Sequence, residues 1–598
     1  MTAIDAGPAA PAGATELRAN NRGRAVVFHL AWALPCLAVL VWFFSTQFQG
    51  LTVIEAMDAA QVARRVSDGQ GFTTSYIRPL SLAQSRRAAP HPDLANPPLY
   101  PLVLAIAFNV AGANDRTVGA VSLLFGAATV LLTYLLGAAL AGRVAGSVAA
   151  LLVVLSLGFL RASVSGLSIT LLGALVTFTF YLALRHRGTV RWSAGCGAAL
   201  GLAYLTEHAV APLALPVLAL VAFERRRARL RHAGAFLIGL MIVALPWLGR
   251  TWAVAGSPFA GLKSYSLAMY GTTYPLTSVV RGSDPGGAAP VKFLLGHYRE
   301  VAKKLLLNSG NLEARLPGIL GICLLPLLGL ALLLELGHPA ANRMKWALLA
   351  GIALIGIGLA VGQPRYDVLY AMLGAVAALG AAALVSVSET RALSAKARAL
   401  AIGSILALMA YPVALTALPG QSPAKADRQN LEYLGRALPR DAVVVSDQPW
   451  AVAWYSNRTA VWIPGAPAPK PREGEDISLG EAANAMQAPG FEALERSGLR
   501  PDAVFLTSQI ASWPADEGVG RWQLLYNVLS AQLEALRRGQ AAGPLWTPAG
   551  WTLAATLPPG DFLLVRSEEA AGASGPSAAA PGSQDSGATE TNGSKETE

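Results

Sequence analysis

Val53-Ile-Glu-Ala-Met-Asp-Ala-Ala-Gln-Val-Ala-Arg-Arg-Val-Ser-Asp-Gly-Gln-Gly-Phe72, followed by Asn96-Pro-Pro-Leu-Tyr-Pro101, stands directly after the first long apolar run of the chain, residues 26–46. The order sets two carboxylates, Glu55 and Asp58, just outside a hydrophobic segment. Three residues apart on a helix, they share one face near its N-terminus, where the macrodipole favours negative charge. The same spacing suits acids that merely cap an interfacial helix, and the stretch read by itself leaves both roles open.

Working outward, composition sets the class. Of 598 residues 53% are hydrophobic and only 14% charged, with a mean hydropathy of +0.44, so the apolar surface exceeds what a water-soluble core can bury. Beyond 26–46, apolar runs fall near 117–139, 145–162, 166–184, 192–207, 209–223, 233–253, 317–336, 346–362, 366–387 and 399–418. They predict a polytopic α-helical membrane protein with about 11 transmembrane helices. The run 99–111 opens with prolines and is short, which suits a helix lying at the bilayer surface.

Alternate short loops hold seventeen Lys and Arg on one side, including the run Arg225 to Arg231, against Arg161 and Arg365 on the other. Positive charge is retained on the cytoplasmic side. The expected layout is a disordered cytoplasmic N-terminus over 1–25 and a membrane domain over 26–420, with outer loops 47–116 and 254–316. A small extracytoplasmic α/β domain over 421–568 and a disordered tail over 569–598 complete it. This charge pattern accounts for the net +11 and argues against nucleic acid as a partner. Cys36, Cys196 and Cys323 all lie in apolar runs and read as packing residues.

In the C-terminal region, 441–446, 459–463 and 503–507 read as buried strands, 450–455 as a helix and 550–566 as a hairpin. No glycine-rich phosphate loop follows any of these strands, so nucleotide binding is not supported.

The stretch from Glu55 to Arg64, Gly69-Gln-Gly-Phe72 and Asn96-Pro-Pro-Leu-Tyr-Pro101 resemble the first outer loop of the GT-C glycosyltransferases. The bacterial branch related to protein O-mannosyltransferases and aminoarabinose transferases is the nearest in pattern. Ser165-Gly-Leu-Ser168, Gly201-Leu-Ala-Tyr-Leu-Thr206, Pro246-Trp247 with Gly256-Ser-Pro258, and Pro364-Arg-Tyr366 continue the resemblance in order. It implies an inner-membrane enzyme with a polyprenyl-phosphate sugar as donor and a glycan, lipid or protein as acceptor. Transfer would invert the anomeric centre.

Glu55 stands where the family has its catalytic Asp, with Asp58 beside it. Arg64, Arg78, Lys263 and Arg365 are the candidate phosphate ligands, with contact to membrane lipids an equal reading for Arg78 and Lys263. Ile169 and Thr170 stand where relatives carry a second acid. Glu207, beside His208, could substitute for it or serve as a helix-end cap. His91 and Asp93 leave a divalent metal open without supplying a repeated ligand spacing. Two other classes remain in view: a catalytically inactive family member that binds lipid phosphates or assists envelope assembly, and a transporter, for which the spans carry few charges.

Overall fold

A computed structural model describes residues 12–567 apart from 86–89, 186–188, 224–227, 285, 338, 391–393, 417–427, 468–477, 515–517 and 541–544. Helix α1, Ala12–Gln47, contains the first apolar run and starts inside the stretch expected to be disordered. Thr15-Glu-Leu-Arg-Ala19 is a run of good helix formers. The expectations for residues 1–11 and for the tail 569–598 lie outside the described residues.

The next two apolar runs form one helical hairpin. Asp115–Val154 is broken at Ala141 and at Gly142, whose φ of 82° is left-handed. Forty residues of straight helix would extend about 60 Å. Instead the two arms double back, so that a Cβ on Gly146 would sit 2.6 Å from the Tyr134 carbonyl and one on Gly137 3.0 Å from Gly146 Cα. Glycine lets the arms touch, and its freedom at positive φ makes the turn.

Six helices among the described residues are long and apolar enough to cross a membrane, or up to seven if Tyr298–Leu320 and Leu324–Leu333, bent by 102°, make one span. Three further runs form shorter units, Ile169–Arg185, Val190–Thr206 and the broken His208–Ala222. At 1.5 Å per residue a 17-residue helix reaches about 26 Å, less than a typical hydrocarbon core. Length therefore does not assign all eleven runs as crossings. The chain is nonetheless a membrane protein: Leu37, Leu124, Ile242 and Leu408 present more than half of their surface outward, as lipid-facing side chains do. The three cysteines are free and buried.

The C-terminal region forms a six-stranded sheet in the order β1-β3-β2-β4-β6-β5. Strands β2 (Val443–Ser446), β3 (Thr459–Trp462) and β4 (Ala503–Leu506) are parallel, while β6 (Asp561–Arg566) runs antiparallel to β4 and to β5 (Trp551–Leu557). Val444, Val445, Val504 and Phe505 are buried, in keeping with the unbroken apolar strands of a covered parallel sheet. The expected strands and hairpin are all present. The sheet is not confined to 421–568, because its edge strand β1, Tyr76–Ile77, comes from the segment 47–116 that follows α1 and pairs in parallel with Ala460 and Val461.

Helix α2, Ile54–Ser67, and the helix Leu99–Ala111 lie between the membrane bundle and this sheet in one apolar cluster with Trp450, Trp454, Leu431 and Val118. One polar clamp crosses the layers. Asp115 accepts hydrogen bonds from Trp454 Nε1 at 2.7 Å and the Tyr455 hydroxyl at 3.0 Å, and pairs with Arg428 at 3.4 Å. Removing this carboxylate strands the buried Trp454 Nε1–H and leaves the Tyr455 hydroxyl with the Leu51 carbonyl and Arg428 with Glu432. Asp115→Ala should therefore cost about 2–4 kcal/mol, read as a lower Tm in detergent; an unchanged Tm would show that the clamp does not hold the layers together.

Candidate functional site

Helix α2 begins after Val53 and carries Glu55 in its first turn, while its next turn buries Asp58. Asp58 is held from two sides: Arg78 Nη2 lies 2.6 Å from Oδ2, and Gln61 donates to Oδ1 at 3.1 Å. Gln61 also accepts from the Ser75 amide, so the acid is locked to the segment that enters β1. Arg78 in turn lies over the Tyr76 ring at 3.9 Å. Burial opposes the charge of Arg78, but the Asp58 carboxylate outweighs it and holds the guanidinium above its ordinary pKa.

A second cluster meets this one across a cavity of about 280 Å³. Lys263 bonds both carboxylate oxygens of Glu207, at 2.7 and 3.0 Å. Arg365 lies 3.7 Å from Glu207, 3.6 Å from Glu55 and 2.9 Å from Asp367. Of the three acids that share Arg365, two line the cavity, and of these the Glu207 side chain is only 8% exposed and that of Glu55 40%. Glu55 is thus the carboxylate open to an incoming molecule.

Five cavity residues thus belong to three distant parts of the chain: Glu55 and Asp58 on α2, Glu207 and Lys263 around the middle helices, and Arg365 in the break before Tyr366. Arg78 completes the lining. The three acids and three bases that line the cavity balance, so an anion entering it would have to draw Arg365, Lys263 or Arg78 from its carboxylate partner.

Arg64 is a correction. Nine residues from Glu55, it turns half a revolution around α2 and leaves the cavity. Its guanidinium instead donates to the Trp454 carbonyl and to Asn457 Oδ1 and stacks over Trp454 at 4.0 Å. Ile169 and Thr170, the positions of the missing second acid, are buried, with the Thr170 hydroxyl 3.3 Å from Ser122 Oγ. Ser168 lines the cavity in their place, and Glu207 supplies the other carboxylate there.

The motifs support one another physically. The Tyr100 hydroxyl donates to the Gly166 carbonyl at 2.7 Å, and Gly166 has φ +76° with Leu51, Val118 and Ala56 packed where a Cβ would stand. His91 lies 2.7 Å from Ser81 Oγ, and Asp93 accepts from the amides of Ala95 and Asn96. Among the described residues no group of three or more His, Cys, Asp or Glu side chains is placed to hold a metal ion. The cavity carboxylates Asp58 and Glu207 are already engaged by Arg78 and Lys263, so the donor set does not fit one.

Sequence reasoning missed the aromatic wall. Tyr76, Trp450 and Trp462 line the cavity and pack edge to face at 5.9–6.0 Å. The tryptophans arrive from the sheet, some 400 positions after α2, where no local signal ties them to Glu55. Asp367, by contrast, sits two residues from Arg365 and could have been found as its partner. The Asp58–Arg78 pair gives a direct test of this geometry: Asp58→Asn and Arg78→Met should each lower Tm, and the double variant by clearly less than the sum. Additive shifts would mean that the pair is not formed.

Residues 95–249 match the family described as dolichyl-phosphate-mannose-protein mannosyltransferase. No curated protein matches the chain. Among solved structures, AglB, the oligosaccharyltransferase of Archaeoglobus fulgidus in complex with an inhibitory peptide and a dolichol-phosphate, aligns with TM-score 0.52 at 14% identity, covering 84% of this chain and 72% of its own. The oligosaccharyltransferase of the same organism with Zn and sulfate aligns with TM-score 0.52 at 12% identity, over 80% and 68%. ArnT from Cupriavidus metallidurans in the apo state aligns with TM-score 0.42 at 13% identity, over 93% and 100%. With the segment match and the architecture shared with the oligosaccharyltransferases, this chain has the GT-C fold of membrane glycosyltransferases.

Proposed function

We propose that the chain is an integral-membrane glycosyltransferase that moves a sugar from a polyprenyl-phosphate donor to an extracytoplasmic glycan, lipid or protein, with inversion at the anomeric carbon. The observation that carries this reading is the convergence of Glu55 and Glu207 on Arg365 beside Lys263. A second cavity of about 370 Å³ shares Glu207, Lys263 and Arg365 and is walled by Ala209, Pro212, Leu359 and Val368. A polar head and an apolar passage in sequence suit a lipid phosphate with its prenyl chain. AglB, which shares the fold, was solved with a dolichol-phosphate.

In this reading Glu55 takes the proton of the acceptor hydroxyl as its oxygen bonds to the anomeric carbon. The bond from that carbon to the phosphate oxygen breaks, and the polyprenyl phosphate leaves with the electron pair. Arg365 and Lys263, with Arg78 across the cavity, take up the charge that develops on it. Glu207 holds Lys263 and Arg365 in place throughout the displacement. Asp58, clamped by Arg78 and Gln61, orients that side of the cavity and is not free to act as base. The alternative of an inactive lipid-phosphate-binding protein rested on Ile169 and Thr170, and those positions face the packed interior while Glu207 lines the cavity.

Two experiments test the proposal. Undecaprenyl phosphate should bind the wild-type protein in native mass spectrometry and bind Glu55→Gln equally well, while Arg365→Ala loses it. With a polyprenyl-phosphate sugar panel and an envelope acceptor fraction, Glu55→Gln should transfer at least about 100-fold more slowly. Wild-type turnover in that variant would remove Glu55 from catalysis.

We also place the sheet outside the cytoplasmic membrane, from the seventeen-to-two charge asymmetry of the loops. A cysteine at the exposed Ser497 should react with an impermeant maleimide added to whole spheroplasts, and one at Ala228 only after lysis. The native cysteines are buried, which keeps the background low. The reverse pattern would put Glu55 on the side of soluble nucleotide sugars and end the lipid-donor reading.

A further inference from the structure

The face of α2 turned away from the cavity meets the sheet region in a second, almost wholly polar cleft of about 160 Å³. Arg64 and Arg65 enter it from α2, and Arg440 and Arg458 from the segments flanking β2 and β3; Asp68 is the one acid lining it among the described residues. Four guanidiniums from two parts of the fold repel one another unless something negative is shared between them.

The arginines are anchored by neutral groups, which fix their positions without cancelling their charge. Arg65 donates to the hydroxyls of Thr73 and Ser75. Arg458, only 7% exposed, donates to the carbonyls of Gly435, Leu438, Ser456 and Asn457. Its Nε is buried with no partner. Arg440 is exposed and makes no hydrogen bond or ion pair among the described residues. Burial holds Arg64 down to about 10 against the opposing pull of Asp68 and Asp115, and it lowers Arg458, where Arg440 adds to the effect and Asp441 opposes it. Such under-compensated guanidiniums next to an orphaned buried N–H describe an anion site in want of its anion.

We propose that the cleft between α2 and the sheet is a second anion-binding site, which takes a phosphate-class oxyanion on Arg64, Arg65, Arg440 and Arg458. Its volume suits one phosphoryl group. The planar Arg forks suit its oxygens. Bound there, the group would tie the C-terminal half of α2, whose other face carries Glu55 and Asp58, to the sheet. The phosphate could be soluble or the headgroup of an anionic lipid; both offer the same chemistry. The assignment does not depend on the glycosyltransferase reading.

The test uses the full-length protein in phosphatidylcholine nanodiscs, with Arg365→Gln as background so that the central cavity does not contribute. Inorganic phosphate should bind this variant by calorimetry, and adding Arg440→Ala should raise Kd about tenfold. Arg440 is exposed and unbonded, so its removal leaves the fold intact; an unchanged Tm without phosphate verifies this. In phosphatidylglycerol nanodiscs, loss of phosphate binding identifies a lipid headgroup as the occupant, and retained binding identifies a soluble phosphate. Equal phosphate affinity in Arg365→Gln and Arg365→Gln/Arg440→Ala, or no binding in either, overturns the proposal.

Discussion

The addition of Tyr76 and Ile77 to the sheet edge is the constraint on which the rest of the structure depends. Two residues of the segment after α1 pair with Ala460 and Val461, and that short ladder fixes where Arg78 emerges and how α2 lies under the sheet. Two strand residues alone are marginal in water. Here Tyr76 is fully buried against Trp450 and Trp462, and Gln61 ties α2 to the Thr74 hydroxyl and the Ser75 amide, so packing supports the ladder. The cavity is then closed from above by the sheet and from below by the membrane helices.

Charge balance gives the cavity its second property. Each cation facing it is satisfied by a carboxylate, yet the partners differ in how tightly they hold. Asp58 grips Arg78 at 2.6 Å in a buried setting, and Glu207 chelates Lys263. Glu55 touches Arg365 only at 3.6 Å and stays half in the open. An anion drawn to Arg365 would displace its long contacts to Glu55 and Glu207 before its 2.9 Å pair with Asp367. Burial and opposite charge thus sort three acids of like type into two that are held and one, Glu55, that stays accessible.

The two faces of α2 divide the labour of the helix. Positions 55 and 58 meet the cavity, whereas 64 and 65 meet the sheet. A half-turn separates Glu55 from Arg64, so a motif read as one string serves two surfaces. That is why Arg64 reads with Glu55 in the linear pattern yet lies away from the Glu55 cavity in space.

By itself the sequence determined the class of molecule and its parts list: apolar periodicity and length specify the helices, β-branched runs specify the strands, and Glu55, Asp58, Arg78, Glu207, Lys263 and Arg365 were legible as charges placed at the ends of apolar runs. These are local properties, written in residue order. The tertiary structure alone decided which charges meet. It brought Glu207 to Arg365, turned Arg64 outward, buried Ile169 and Thr170, doubled the helix back at Gly142, and carried Trp450 and Trp462 across some 400 positions to wall the site. Those outcomes depend on burial and on pairing between segments far apart in the chain, and no window of sequence contains them.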